Sequence, residues 1–440
     1  MTEQTVAAPD LGRRLFKIGL IAAALAILMF FVHLIIWERQ STAQQVENDI
    51  ARSWGGLQVV QTPFMVVPYS ERRTRDVKQA DGTFVAQSYL VTRYLHLAAQ
   101  DVRINAVLDP QIKRRSLFDV PVYTAAVDTD VRWSGELPAS LKLDADGVRW
   151  NEARIVFRVA EPRSLARIPL VTIDGRPVDV EPGFPGTDKA EGFLSAPMGL
   201  TDAPAADIGV NVALAVKGSR QIGFSATGRN VTASVSSTWP HPSFRNIAPA
   251  AATISEDGFT ASWSASNLST GTRLAYMRHD RIDMRAQEIA SVALVEPVDL
   301  YGQLGRAVKY GVLFIALTFT AYFLFDVIGG RAMPLLGYGL VGLALVQFFL
   351  LLTSLSEHIS LLPAYVLAAG ILTAMITLYT AAVTGNRGRA ALLGGIIAIL
   401  YAGMYALLGL EESALLVGSV MLLAALAALM YATRNIGQEI

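Results

Sequence analysis

The chain has 440 residues, with 37 Lys+Arg balanced by 37 Asp+Glu and no cysteine. Zero net charge leaves no broad field to attract nucleic acid, and the missing thiols exclude disulfides, thiolate nucleophiles and cysteine-based metal sites. A mean hydropathy of +0.39 is too apolar for an ordinary soluble protein, and the excess is concentrated in six long runs.

The first run, "LFKIGLIAAALAILMFFVHLIIW", covers residues 15–37. At about 1.5 Å per residue it crosses a hydrocarbon core of roughly 30 Å. A cleaved signal peptide carries an apolar stretch of only about 7–15 residues, so this run reads as a retained anchor, transmembrane helix 1. Arg13, Arg14 and Lys17 lie at its start and place residues 1–14 in the cytoplasm by the positive-inside bias. Just beyond it, "ERQSTAQQVENDIARSW" reads as an amphipathic helix.

Residues 38–303 then read as one domain, mainly of strands. "LQVVQTPFMVVPYS", "FVAQSYLVTRYLHLA", "VPVYTAAVDTDVRW", "ARIVFRV" and "RNVTASVSSTW" alternate and are rich in β-branched residues. Short gaps such as "DADG", "DGRPV" and "GRN" separate such segments. The expectation is an antiparallel sandwich or mixed-β domain, large enough for its own core. Two basic clusters, Arg72-Arg73-Arg75 and Lys113-Arg114-Arg115, fall on predicted loops. They read as solvated surface, or as contacts for anionic lipid head groups or cell-wall polymers.

Within "SSTWPHPSF", Pro240 and Pro242 flank His241, between Trp239 and Phe244. Each proline fixes its own φ, and Pro242 pushes His241 toward extended geometry. Neither donates a ladder hydrogen bond, so the preceding strand is expected to end at Trp239. No second histidine or carboxylate pair lies close in sequence to complete a metal set. The stretch reads as a stiff structural turn, with a catalytic His241 as the alternative.

Five further runs follow: residues 309–328, 334–355, 361–383, 390–410 and 413–433, read as transmembrane helices 2 to 6, with 434–440 as a cytoplasmic C-terminus. Arg331, Arg387, Arg389 and Arg434 fall at alternate connections, while the opposite hairpins carry acidic residues without Lys or Arg. The predicted fold is therefore a six-helix membrane protein with a large mainly-β extracytoplasmic domain between helix 1 and helix 2. In a bacterium with two membranes that domain lies in the periplasm. The short outward loops bring Glu357, His358, Glu411 and Glu412 toward one surface of the bundle, either as span ends or as a functional polar cluster. Asp326, near the inner end of helix 2, is placed to pair with Arg331. Alanines at helical spacing in the last two spans (Ala398, Ala402, Ala406; Ala424, Ala428, Ala432) favour close helix packing.

No H-E-x-x-H, G-x-S-x-G, S-x-x-K or P-loop motif occurs. No catalytic, cofactor-binding or metal residue is assigned. "STWPHPSF", "DGFTASWSASNL" (257–268), "VEPVDLYGQLGRAVKYGVLFIALTFTAYFLFD" (295–326), "LVGLALVQFFLLLTSLSEH" (340–358) and "ESALLVGSVMLLAALAALMYATRNI" (412–436) resemble the CreD family of cell-envelope-integrity proteins. The resemblance is dense from about residue 230 onward and includes "TPFMVVPY" (62–69) earlier in the chain. It implies a bacterial inner-membrane protein with a large periplasmic domain, associated with CreBC-type two-component regulation, colicin tolerance and responses to wall-active antibiotics. It carries over no catalytic residue. The main expectation is a non-enzymatic membrane protein whose β-rich domain binds or braces cell-wall or outer-membrane components or other envelope proteins. A permease or lipid-handling protein using the Glu/His cluster, and a periplasmic hydrolase, are the alternatives.

Overall fold

The computed structural model describes residues 8–80, 83–115, 118–134, 147–183, 192–278, 288–295, 300–329, 333–409 and 414–433. Two compact units emerge, one of residues 1–44 with 298–440 and one of residues 45–297. Glu411 and Glu412 lie outside the described residues.

Helix α1 (Ala8–Trp54) merges the predicted anchor and the amphipathic stretch into one 47-residue element. From Leu20 to Trp54 the sequence holds no glycine or proline, so nothing breaks the ladder at the predicted boundary after Trp37. Gly55 ends it: its φ is +142°, and its N–H donates to Ala51 O at 2.9 Å.

The helical unit continues with α3 (Leu300–Gly329), α4 (Leu335–Ser356), α5 (Leu361–Thr384), α6 (Arg387–Gly409) and α7 (Ala414–Thr433). Among the described residues five helices, α1 and α3 to α6, are long and apolar enough to cross a membrane. Helix α3 starts nine residues before the expected Lys309, at Leu300. Local signals set the α5–α6 junction: Gly385 takes the left-handed cap of α5, and Asn386 Oδ1 accepts from Arg389 N at 3.1 Å to cap α6. One apolar cluster joins Leu25, Met29 and Val32 of α1 to Phe314 and Phe319 of α3, Leu345 and Phe349 of α4, Leu372 of α5 and Tyr401 of α6.

The second unit holds two sheets. The first runs β13 (Pro242–Phe244), β17 (Glu288–Leu294), β11 (Gln221–Ser225), β1 (Gln58–Lys78), β5 (Arg154–Val159), β9 (Phe193–Pro197) and β8 (Glu181–Pro182). Strand β2 (Phe84–Leu97) joins it by pairing with β1, and β16 (Ala275–Arg278) pairs with β2. The second sheet runs β14 (Ala251–Ser255), β15 (Gly258–Ser266), β12 (Gly228–Ser237), β3 (Ala99–Arg115), β4 (Phe118–Trp133), β10 (Ile208–Ser219), β6 (Leu170–Ile173) and β7 (Arg176–Val178). Most pairings are antiparallel; β1–β11 and β3–β12 are parallel. Alternate residues of both sheets, such as Val67, Ile155 and Phe224 with Ile104, Val127, Val212 and Trp263, meet in one core. The unit also has a four-residue helix, α2 (Asn267–Thr270).

The end of α1 is stapled to the second sheet. Ile50 packs with Val120 and Val122, Arg115 pairs with Asp49 at 3.5 Å, and Arg220 pairs with Glu47. Lys113 Nζ and Lys217 Nζ lie 4.4 and 4.8 Å from the Trp54 ring, whose Nε1–H donates to Tyr123 O at 3.3 Å. The expected loop at Lys113-Arg114-Arg115 is instead the end of β3, with Arg114 paired to Asp119 at 3.0 Å. Arg72, Arg73 and Arg75 likewise belong to strand β1 and not to a loop.

Tyr123 of β4 is fully buried, and its hydroxyl donates to Gln221 O at 2.8 Å. Gly218 makes room for it, since a Cβ there would overlap the phenol and reach Gln58 Cγ at 2.9 Å. Burial raises the Tyr123 pKa well above its ordinary 10.0, against a smaller lowering by a backbone hydrogen bond at Gln58. Below pH 10 the phenol is neutral folded or unfolded, and its contribution is fully present. Above that the unfolded phenol ionises first, so stability falls as pH rises toward the folded pKa, by at most about 1.4 kcal/mol per pH unit. Denaturant titrations at pH 8 and above pH 10 are expected to show a smaller alkaline loss in Tyr123→Phe than in the parent; equal losses would refute this.

Candidate functional site

Strand alternation builds a polar groove on the outer face of the second sheet. In "DVRINAV" of β3, Val102, Ile104 and Ala106 enter the core, leaving Asp101, Arg103 and Asn105 exposed. In β4, Val127, Val131 and Trp133 point inward, and Asp128, Asp130 and Arg132 are exposed. Register sets Asp101 opposite Arg132 and Arg103 opposite Asp130. On the next strand Gly209 faces Arg132, and Asn211 faces Asp130. Gly209 contributes no side chain, and the resulting hollow of about 500 Å³ includes Thr172 and Asp174 at its β6 side. The β6–β7 connection is a two-residue Asp-Gly turn with φ +46° at Asp174 and +77° at Gly175, the left-handed pair that such a hairpin needs. It is pinned by Gly209 N donating to Asp174 Oδ1 at 2.9 Å.

The electrostatics of the groove are asymmetric. Asn211 Nδ2 donates to Asp128 Oδ1 at 2.7 Å and to Asp130 Oδ1 at 3.0 Å. Asn230 Nδ2 donates to Asp101 Oδ1 at 3.0 Å. The carboxylates are thus engaged by amides, whereas Arg103 and Arg132 form no ion pair among the described residues. Two guanidinium forks therefore remain open in a hollow of ligand size. A planar fork suits a carboxylate or phosphate, which it binds with two parallel hydrogen bonds. Sequence inspection passed over these residues; the alternation in "DVRINAVLD" carried the signal for the strand, but the partners come from β4, β6, β10 and β12.

Both ends of the helical unit carry charged clusters. At one end Asp326 is paired with Arg14; Arg331, the partner expected from the sequence, lies outside the described residues. Arg14 Nη2 donates to Asp326 Oδ2 at 2.7 Å and to Met333 O at 2.5 Å. Met333 N donates to Asp326 Oδ1, and Tyr338 OH to Asp326 Oδ2, each at 2.8 Å. The carboxylate accepts from three donors and ties α1, α3 and α4 together.

At the other end Glu357, whose side chain is 9% exposed, lies 3.7 Å from Arg39 Nε and accepts from Tyr301 OH at 3.4 Å. His358 is exposed, and its Nδ1 donates to Ser354 O at 3.0 Å. Glu357 and His358 thus have separate partners, and no described contact joins them to Glu411 or Glu412. The pairings of Arg14 and Arg39 leave no local signal, because each lies more than 300 residues from its partner.

At the proline-flanked turn, β12 ends at Ser237, two residues before the expected Trp239. Pro242 opens the edge strand β13, a position where a missing N–H costs little. The His241 ring is exposed; its carbonyl oxygen accepts from Val295 N at 3.3 Å. Trp239 Nε1 donates to Val295 O at 3.2 Å, and Phe244 sits edge-on to Phe259 and Trp263 at 5.9 and 5.6 Å. Pro240 is half-buried between them in sequence. Among the described residues no group of three or more His, Asp or Glu side chains is placed to hold a metal ion.

The family described as inner membrane protein CreD matches residues 10–438. A relative in Escherichia coli (strain K12), named inner membrane protein CreD, is 29% identical over 413 residues, covering 94% of this chain and 90% of the relative. That name denotes a membrane protein. Among solved structures, an M1 zinc metallopeptidase from Deinococcus radiodurans aligns at 9% identity over 49% of this chain and 53% of its own, with a TM-score of 0.21. A likeness that slight carries no argument.

Proposed function

The chain belongs to the CreD family of inner membrane proteins, and from that premise we propose that it supports cell-envelope integrity by binding an anionic envelope component with its β unit. In this reading α1 and α3 to α7 form six spans, both termini are cytoplasmic, and the β unit is periplasmic. Arg13, Arg14 and Lys17 at the first run, with Arg387 and Arg389 between α5 and α6, support that orientation. The role is binding or scaffolding rather than catalysis, and envelope stress or colicin and antibiotic tolerance is where its loss is felt.

The observation that carries this reading is the pair of open guanidinium groups in the groove. Cell-wall stem peptides present carboxylates, and outer-membrane lipids present phosphates; either fits two planar forks. The permease reading is weaker, because Glu357 is already engaged by Arg39 and Tyr301.

Full-length protein in detergent is expected to be retained by isolated cell-wall sacculi or by outer-membrane extracts. Arg103→Glu with Arg132→Glu is expected to cut that retention more than about tenfold, since a hydrogen bond to a charged group contributes about 1.5–3 kcal/mol. The same double variant is expected to fail to complement a deletion strain under wall-active antibiotic. Retention unchanged by the double substitution would exclude the groove. A reporter fused near residue 150 that stays cytosolic would remove the whole reading.

A further inference from the structure

The hairpin of β1 and β2 outruns the sheet that holds it. Strand β5 leaves β1 at Val66, an isolated bridge joins Tyr69 to Val148, and β16 leaves β2 at Tyr94. From Glu71–Lys78 paired with Phe84–Val91, the ribbon has only its own two strands among the described residues. Eight residues at about 3.3 Å each extend it by roughly 26 Å. A two-stranded ribbon alone in water is marginal.

Its side chains are unusual for a ribbon bathed only in water. Register places Val77 with Val85, Arg75 with Gln87, Arg73 with Tyr89 and Glu71 with Val91 on one face. Lys78 with Phe84, Asp76 with Ala86, Thr74 with Ser88 and Arg72 with Leu90 fall on the other. Phe84 is 67% exposed and Leu90 68%; Val85 and Tyr89 are exposed too. Both faces therefore present large apolar groups.

Cations are interleaved with them. Glu71 is taken by Arg73 and Arg93, and Arg75 lies 5.6 Å from the Tyr89 ring. Arg72 and Lys78 are exposed and have no acidic partner among the described residues.

We propose that this ribbon is a lipid-contacting element that inserts Phe84, Val85, Tyr89 and Leu90 into the interface of an anionic membrane while Arg72, Arg75 and Lys78 engage its phosphates. Apolar groups exposed on both faces suit immersion in a fluid interface, which contacts both at once. Aromatic and aliphatic groups at head-group depth beside basic side chains are the composition an interfacial segment needs. The ribbon is separate from the groove, and neither proposal depends on the other.

The chain lacks cysteine, so Phe84→Cys accepts a single nitrobenzoxadiazole probe in the full-length protein. The protein is held in phosphatidylcholine nanodiscs. One arm replaces the nanodisc lipid with phosphatidylglycerol; the other adds phosphatidylglycerol vesicles. The first reads contact with the host bilayer, the second contact with another membrane. A blue-shifted, brighter probe in either arm is the expected result, with a probe at the edge-strand position Ala252→Cys unchanged. Replacing Arg72, Arg75 and Lys78 by glutamine is expected to weaken the response about a hundredfold in lipid concentration, at about 1 kcal/mol per basic residue. Phe84 bears the probe, so Leu90→Ser tests the apolar contribution and is expected to weaken it further. A probe that responds to neither lipid arm overturns the proposal, as does one that responds to sacculi or to a soluble protein fraction alone. An equal response to phosphatidylcholine vesicles would overturn the role of the cations.

Discussion

Asp326→Ala is expected to destabilise the helical unit by about 3 kcal/mol, near the lower end of the range for orphaning a buried charge. The lower end applies because the Arg14 side chain keeps 22% exposure against 11% for Asp326. Alanine removes the acceptor of three hydrogen bonds at once, from Arg14, Met333 N and Tyr338 OH. The guanidinium is left with Met333 O as its described acceptor. Replacing both partners by apolar residues, Arg14→Met with Asp326→Leu, is expected to recover much of the loss, because no charge is stranded. Denaturant titration in mixed micelles reads both variants. If Asp326→Ala unfolds at the parental midpoint, the network is ornamental to stability; if the double variant is as unstable as the single, the cost is not an orphaned charge.

The second large effect is expected in the β unit at Gly258→Ala, with a loss of roughly 3 kcal/mol or more from strain and overlap together. Gly258 has φ +132°, a region L side chains rarely adopt. A Cβ there would also strike the Ser237 carbonyl oxygen and come 2.7 Å from Thr238 Cα. Both obstacles belong to the main chain at the end of β12, so no side-chain rotation relieves them. Gly271 supplies the comparison: its φ is +66°, but a Cβ would meet nothing within 4 Å. Gly271→Ala is therefore expected to cost only about 1 kcal/mol, the dihedral penalty alone. Tryptophan fluorescence during urea unfolding, reporting through buried Trp263, separates the two. Equal midpoints for the two variants would show that the β12 backbone yields.

The long apolar runs were legible because hydropathy alone specifies them, as were strands such as β5 with their β-branched alternation. Strand β3 was harder to see. Its outward residues are Asp, Arg and Asn, and its last turns carry Lys113-Arg114-Arg115, which local composition marks as a loop. Only the neighbours Trp54, Asp49 and Asp119 make that basic end compatible with a strand. The ribbon was misread for the same reason: Arg72, Arg73 and Arg75 lie within a ladder that Tyr89 and Leu90 complete. The ion pairs at the helix ends were invisible to local inspection. Arg14 and Asp326, like Arg39 and Glu357, are brought together by helix packing, and nothing in the intervening sequence records it. The groove has the same character, since its residues come from five strands whose order in the sheet differs from their order in the chain.

The two Arg–carboxylate clamps hold one helix at two points, 25 positions apart between Arg14 and Arg39, or about 37 Å along its axis. A slide of α1 by a single turn would carry both guanidinium groups about 5.4 Å in the same direction, tearing both latches at once.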